Sequence, residues 1–178
     1  VDAAALMKRA VFPRAILPLS LVSVNLVHFL IVLIVMIGIL FASHHLAMHS
    51  LWLLPVAVVL ELIFTIGMML LVASLQVRYR DVKYLVDVAL PMWFYLSPIF
   101  YSLDLVMDGP AVWQAVYLLN PFVYILELYR VALLGGSSAV AFISAGWMVG
   151  AASAAALGMF FIGLSLFRRL EPTVAEWL

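Results

Sequence analysis

No charged residue stands between Arg14 and Glu61, and that gap decides most of what this chain can fold into. Further uncharged runs separate Glu61 from Arg78, Asp87 from Asp104, and Arg130 from Arg168. A helix needs roughly 20 apolar residues to cross about 30 Å of hydrocarbon, and these runs supply segments of that order. Hydrophobic residues make up 68% of the chain and charged residues 10%. Soluble domains average about 45–50% apolar and about 25% charged. Too few polar side chains remain here to cover a water-facing surface. The expected fold class is therefore an all-α membrane protein in a single domain. Four transmembrane helices are expected near 16–42, 51–77, 85–103 and 139–167, with a polar turn at 43–50 and a charged turn at 78–87.

Basic side chains are retained on the cytoplasmic side of a membrane. Lys8, Arg9 and Arg14 precede the first expected span, Arg78, Arg80 and Lys83 lie between the second and third, and Arg168 and Arg169 follow the fourth. Four crossings place all of these on one side, and Arg130 alone falls on the other. That arrangement constrains the apolar but broken stretch at 111–134. Asp108-Gly109-Pro110 is a turn. Asn120 can cap a helix whose first residue is Pro121, and Gly135-Gly136 ends that helix. Each piece is too short to cross alone at about 1.5 Å per residue. If the two crossed together, Arg168 and Arg169 would fall outside. A re-entrant helical hairpin entering from the outer face fits better, because irregular backbone persists in a membrane where protein buries it or a water-filled cavity meets it.

Several residues invite a functional explanation beside a structural one. Glu61 lies deep in the second span, either as a pathway-lining or coupling carboxylate or as a hydrogen-bonded structural acid. Glu127 and Arg130 stand three apart on one short helix, as a gate whose pairing changes or as a static ion pair. Trp93, Phe94, Tyr95, Phe100 and Tyr101 crowd the third span beside Pro91 and Pro98. They form an interfacial belt or an aromatic surface along a path. Gly146, Gly150, Ala154 and Gly158 recur every four residues, a ridge suited to close helix packing within the chain or across a dimer. His44, His45 and His49 cluster without a carboxylate, so no metal site is expected.

Other chemistries are excluded by what is missing. The sequence has no cysteine and therefore no disulfide or thiolate site. It contains no G-x-x-x-x-G-K-[ST] loop for ATP and no G-x-S-x-G elbow. A net charge of zero gives no footprint for nucleic acid. No cofactor is expected, and the chain is not expected to be an enzyme. The rival from that class, a membrane-embedded enzyme acting on lipid-linked sugars, needs clustered catalytic groups on one membrane face.

Four stretches, in order, resemble ABC-2 type permeases, notably exporters of O-antigen and teichoic acid. They are RAVFPRAILPLS from Arg9, VRYRDVKYLVDVALPMWFYLSPIFY from Val77, LLNPFVYILELYRVALLGG from Leu118 and LFRRLEPTVAEWL from Leu166. The resemblance implies a six-span permease of which this chain, beginning at Val1, would hold the last four spans and lack the N-terminal part. It further implies a homodimer with two nucleotide-binding ATPase subunits in a bacterial plasma membrane, with both chain ends cytoplasmic. Lys8, Arg9, Phe12, Pro13 and Arg14 would then lie in a loop that docks on the ATPase, and Arg78, Arg80 and Asp81 would face the same side. Asn120, Pro121, Glu127 and Arg130 would match the outer gate, and the aromatics of the third span, with Glu61, would line a path for a lipid-linked polymer. An exporter of drugs or small lipids is the rival within the family.

Overall fold

The computed structural model describes residues 16–79, 81–101, 103–135 and 145–174. Those residues are helical throughout, apart from short connections. In order they form α1 (Ile16–Ala42), a single 3-10 turn (Met48–Ser50), α2 (Leu53–Arg78), α3 (Val82–Leu96), α4 (Leu103–Met107), α5 (Ala111–Leu119), α6 (Pro121–Leu134) and α7 (Ala145–Val174). Three of them, α1, α2 and α7, are long and apolar enough to cross a membrane, while α5 and α6 form a bent pair with 88° between them.

The polar turn after the first span ends α1 by a local motif. The His44 amide donates to the Phe41 carbonyl and the His45 amide to Leu40, with His44 in the left-handed region at φ 57°. This is the paired closure that usually employs glycine. His44 and His45 therefore serve a helix end, and no group of three metal-ligating side chains exists among the described residues. The turn then docks on the end of α6, where the Ala47 amide donates to the Leu133 carbonyl at 2.9 Å.

The core lies where α2, α6 and α7 meet. Leu53, Ala57, Leu60 and Phe64 form one face of α2, at the spacing of a helical stripe. Ile125, Leu128 and Ala132 of α6 and Met148, Ala152 and Ala156 of α7 close on it. The nearest approach of α2 and α7 is at Gly67 and Gly163. A Cβ on Gly67 would stand 2.6 Å from the Phe160 amide nitrogen, and one on Gly163 would overlap the Gly67 carbonyl. Glycine at both positions is what lets the two backbones touch.

The expected ridge on the fourth span is not the face that packs within the chain. Gly150, Ala154 and Gly158 are exposed, and the two glycines have nothing within 4 Å of a built Cβ. Helix α7 is rotated so that Met148, Ala152, Ala156 and Gly163 face inward instead. The reason is steric: Gly163 permits the α2 contact, and Ala156, Ala152 and Met148 lie on the same face at intervals of seven, four and four residues.

The other boundaries shift modestly. The second span begins as helix at Leu53. The helix for the fourth is described from Ala145 onward, so positions 139–144 lie outside the described residues. The third expected span, 85–103, is not one continuous helix. Helix α3 accommodates Pro91 but stops at Leu96, with Ser97 extended at ψ 142°. Pro98 follows, and a residue before proline is pushed out of the helical region. Fifteen residues of helix reach about 22 Å, short of the hydrocarbon thickness. The irregular stretch 97–101 follows directly.

Candidate functional site

Irregular backbone at membrane depth must find its hydrogen bonds inside the protein. At the end of α3 those bonds come from the second helix of the bent pair. Arg130 of α6 donates to the Pro98 carbonyl, to the Tyr101 carbonyl at 2.9 Å and to the Ile99 carbonyl at 3.4 Å. Its other terminal nitrogen donates to Glu127 Oε1, one turn earlier on α6. Glu127 is only 1% exposed. The Glu-x-x-Arg spacing thus does more than pair two charges. It delivers a neutralised guanidinium to carbonyls of the irregular stretch that follows α3.

Asn120 makes a second connection to α3. Its side-chain oxygen accepts from the Phe122 amide at 3.1 Å, which is the expected helix cap ahead of Pro121. The same oxygen accepts from Trp93 Nε1 at 2.9 Å, and Asn120 Nδ2 donates to Ser97 Oγ at 3.0 Å. Ser97 is buried and its hydroxyl donates to the Trp93 carbonyl at 2.9 Å. The corner between α5 and α6 is therefore fastened to the last turn of α3. Both helices of the bent pair also meet the stretch after α3 at Tyr101, whose hydroxyl bonds that of Tyr117 on α5 and whose carbonyl accepts from Arg130 on α6.

Glu61 begins its approach from α2, about 12 Å from the start of that helix. The Tyr129 hydroxyl of α6 donates to Glu61 Oε2 at 2.5 Å. The Tyr129 ring in turn meets Phe29 of α1 edge-on, with centroids 5.9 Å apart. Glu61 lies between two clefts that also share Thr65. One, of about 270 Å³, opens toward α1 and is lined by Asn25 and Phe29. The other, of about 290 Å³, opens toward α3 and is lined by Phe64, Trp93, Phe94, Ser97 and Phe122. Phe64 anchors the aromatic lining, with Trp93 edge-on at 6.3 Å and Phe122 tilted at 5.9 Å.

The structure thus brings Glu61, Trp93 and Phe94 to one cleft and leaves the other expected pathway residues off it. Tyr95 and Phe100 are 70% and 73% exposed, each in ring contact with Phe94. Tyr101 belongs to the small cluster beneath the hairpin with Val106, Val123 and Tyr117. In the charged turn, Arg78 is exposed and lies over the Tyr79 ring, and Asp81 is exposed at the start of α3 without a side-chain cap bond. Lys8, Arg9, Phe12, Pro13, Arg14 and Arg80 lie outside the described residues. Tyr129, Ser97, Thr65 and Asn25 were not singled out from sequence. Ser97, Thr65 and Asn25 are polar groups within apolar runs, the same signal that marks Glu61, whereas Tyr129 stands between the charged Glu127 and Arg130.

Comparison with known proteins adds an independent line. Residues 5–134 match the ABC-2 type transporter family. The O-antigen export system permease protein RfbA of Klebsiella pneumoniae is 28% identical over 176 residues, covering 98% of this chain and 64% of that protein. The O-antigen export system permease protein RfbA of Myxococcus xanthus is 32% identical over 78 residues, or 44% of this chain and 30% of that protein. The chain spans less than two thirds of the length of either relative.

Proposed function

This chain belongs to the ABC-2 type transporter family, and from that premise we propose that it is a membrane-spanning permease subunit of an exporter driven by a separate ATPase. The cargo is a lipid-linked polysaccharide or polyol phosphate polymer, moved outward across a bacterial plasma membrane. The observation that carries this reading is the alignment with an O-antigen export permease along 98% of the chain. Sugar polymers suit the aromatic cleft, since ring faces of Trp93 and Phe94 offer broad amphipathic contact. The chain performs no covalent chemistry and takes no cofactor. Its partners are a nucleotide-binding ATPase subunit, a second permease copy, membrane lipid and the polymer.

Two copies form a path along their shared interface. ATP binding closes the ATPase pair, and the cytoplasmic segments around Arg9–Arg14 and Arg78–Asp81 pass that motion on as a rigid-body shift. The hairpin opens the outer end of the path. Because Asn120 and Arg130 fasten it to α3, the hairpin and the end of α3 move as one unit. The test is purification of the full-length permease with its membrane. A nucleotide-binding protein should co-purify, and the reconstituted complex should hydrolyse ATP faster with the lipid-linked polymer than without it. A permease that purifies without any ATPase and stimulates none would refute the reading.

A further inference from the structure

We infer that Glu61 sets the charge of the cargo, so that the aromatic cleft admits uncharged sugar rings and turns away phosphate-linked units. The inference rests on the export reading above and narrows its substrate class. The cleft beside α3 combines four aromatic side chains, Phe64, Trp93, Phe94 and Phe122, with hydrogen-bonding groups on Glu61, Thr65 and Ser97. Ring faces and a few convergent polar groups fit a sugar, which presents one C–H face and a rim of hydroxyls.

Charge then decides which polymer. Among the described residues lining this cleft and its neighbour toward α1, Glu61 is the single ionisable side chain, and no described Lys, Arg or His lines either. Tyr129 already donates to Glu61 Oε2. A sugar hydroxyl donating to the other carboxylate oxygen completes that group's hydrogen bonding, because a carboxylate accepts from several donors. A phosphodiester has no donor to offer, and its charge repels the carboxylate. Anionic groups are ordinarily held by arginine forks or lysines. The described cation that reaches this cleft's lining is Arg130, through the Ile99 carbonyl, and it is paired with Glu127 and spread over three carbonyls.

The experiment measures binding to the full-length permease in nanodiscs by calorimetry. The probes are a neutral mannose tetrasaccharide and a glycerol phosphate tetramer of similar length. The wild-type protein should bind the mannose probe at least tenfold more tightly. Glu61→Gln should narrow the ratio, chiefly by admitting glycerol phosphate, and Glu61→Lys should shift preference toward the phosphate probe. Equal or tighter binding of glycerol phosphate by wild type would overturn the inference. So would a ratio unchanged in both variants, or a wild-type protein that binds neither probe. If the lysine variant does not fold, the glutamine variant decides alone. Failure of the exporter reading would show separately, as a permease with no ATPase partner, whatever the binding ratio.

Discussion

Replacing Arg130 with methionine should be among the most damaging single changes in the hairpin. The substitution keeps most of the side chain's length and apolar bulk but removes the guanidinium. Glu127, 1% exposed, loses its ion-pair partner, and the carbonyls of Pro98, Ile99 and Tyr101 lose a donor. Breaking a buried pair from one side costs about 3–5 kcal/mol. At about 2–4 °C of melting temperature per kcal/mol for a chain of this size, that is a drop of roughly 10 °C. Glu127→Gln should cost less, about 1–2 kcal/mol, because the amide oxygen still accepts from Arg130. The double variant, Glu127→Gln with Arg130→Met, should melt above Arg130→Met alone, since the buried acid is removed together with its cation. Thermal unfolding of the purified protein in detergent, followed by tryptophan fluorescence, measures all three. An Arg130→Met protein melting within about 2 °C of the parent would refute the latch, and so would a double variant less stable than Arg130→Met.

Two further outcomes follow from the geometry. Gly163→Ala should destabilise by about 1–3 kcal/mol or more through overlap with the Gly67 carbonyl, while Gly158→Ala, with open space at its Cβ, should change stability by less than about 1 kcal/mol in the same melt. The chain has no cysteine, so a Ser97→Cys, Asn120→Cys pair gives a clean cross-link; oxidised protein should keep its polymer-stimulated ATPase activity if hairpin and α3 move together, and a complete loss restored by reductant would show that they separate.

Much of this architecture was legible because lipid enforces simple rules. Uncharged runs gave the helices near 16–42 and 51–77, and Asn120-Pro121 with Gly135 gave the bent pair. What sequence could not show was rotation. The ridge of Gly150, Ala154 and Gly158 and the buried stripe of Ala152, Ala156 and Gly163 each fit one helix face. Which one packs depends on a glycine of α2, Gly67, nearly a hundred positions away. The same limit hid Tyr129. It stands between two charged residues that attract attention, yet its partner Glu61 is 68 positions distant. Glu127 and Arg130 announced each other at helical spacing, whereas the carbonyls that Arg130 serves carry no side-chain signature at all. The end of α3 is hard to read for a related reason: Pro98 marks a break, but an apolar stretch continues through Ile99 and Phe100, so hydropathy alone runs past the end of the helix.

The distribution of burial explains why a few polar links matter so much here. Half of α6 is buried, whereas the apolar surface of α1 is almost wholly exposed, with Leu33 its one buried residue among those described. In water that asymmetry would be untenable. In lipid there is no hydrophobic force between helices, so association depends on close packing and on polar contacts. Helix α1 meets the rest of the protein through few contacts, and Phe29 against Tyr129 is the ring contact among them. Tyr129 joins that ring contact to Glu61, while its neighbour Arg130 on the same helix holds the end of α3. Helix α6 packs on α2 and α7 in the core, meets α1 through Tyr129, and with its cap residue Asn120 holds the end of α3. In the proposed exporter, motion entering from the cytoplasmic ends of α1 and α2 reaches the outer hairpin through the Glu61–Tyr129 contact and arrives at α3 through Asn120 and Arg130. The gate is then not a flap on the surface of the protein but a half-buried member packed among its spans.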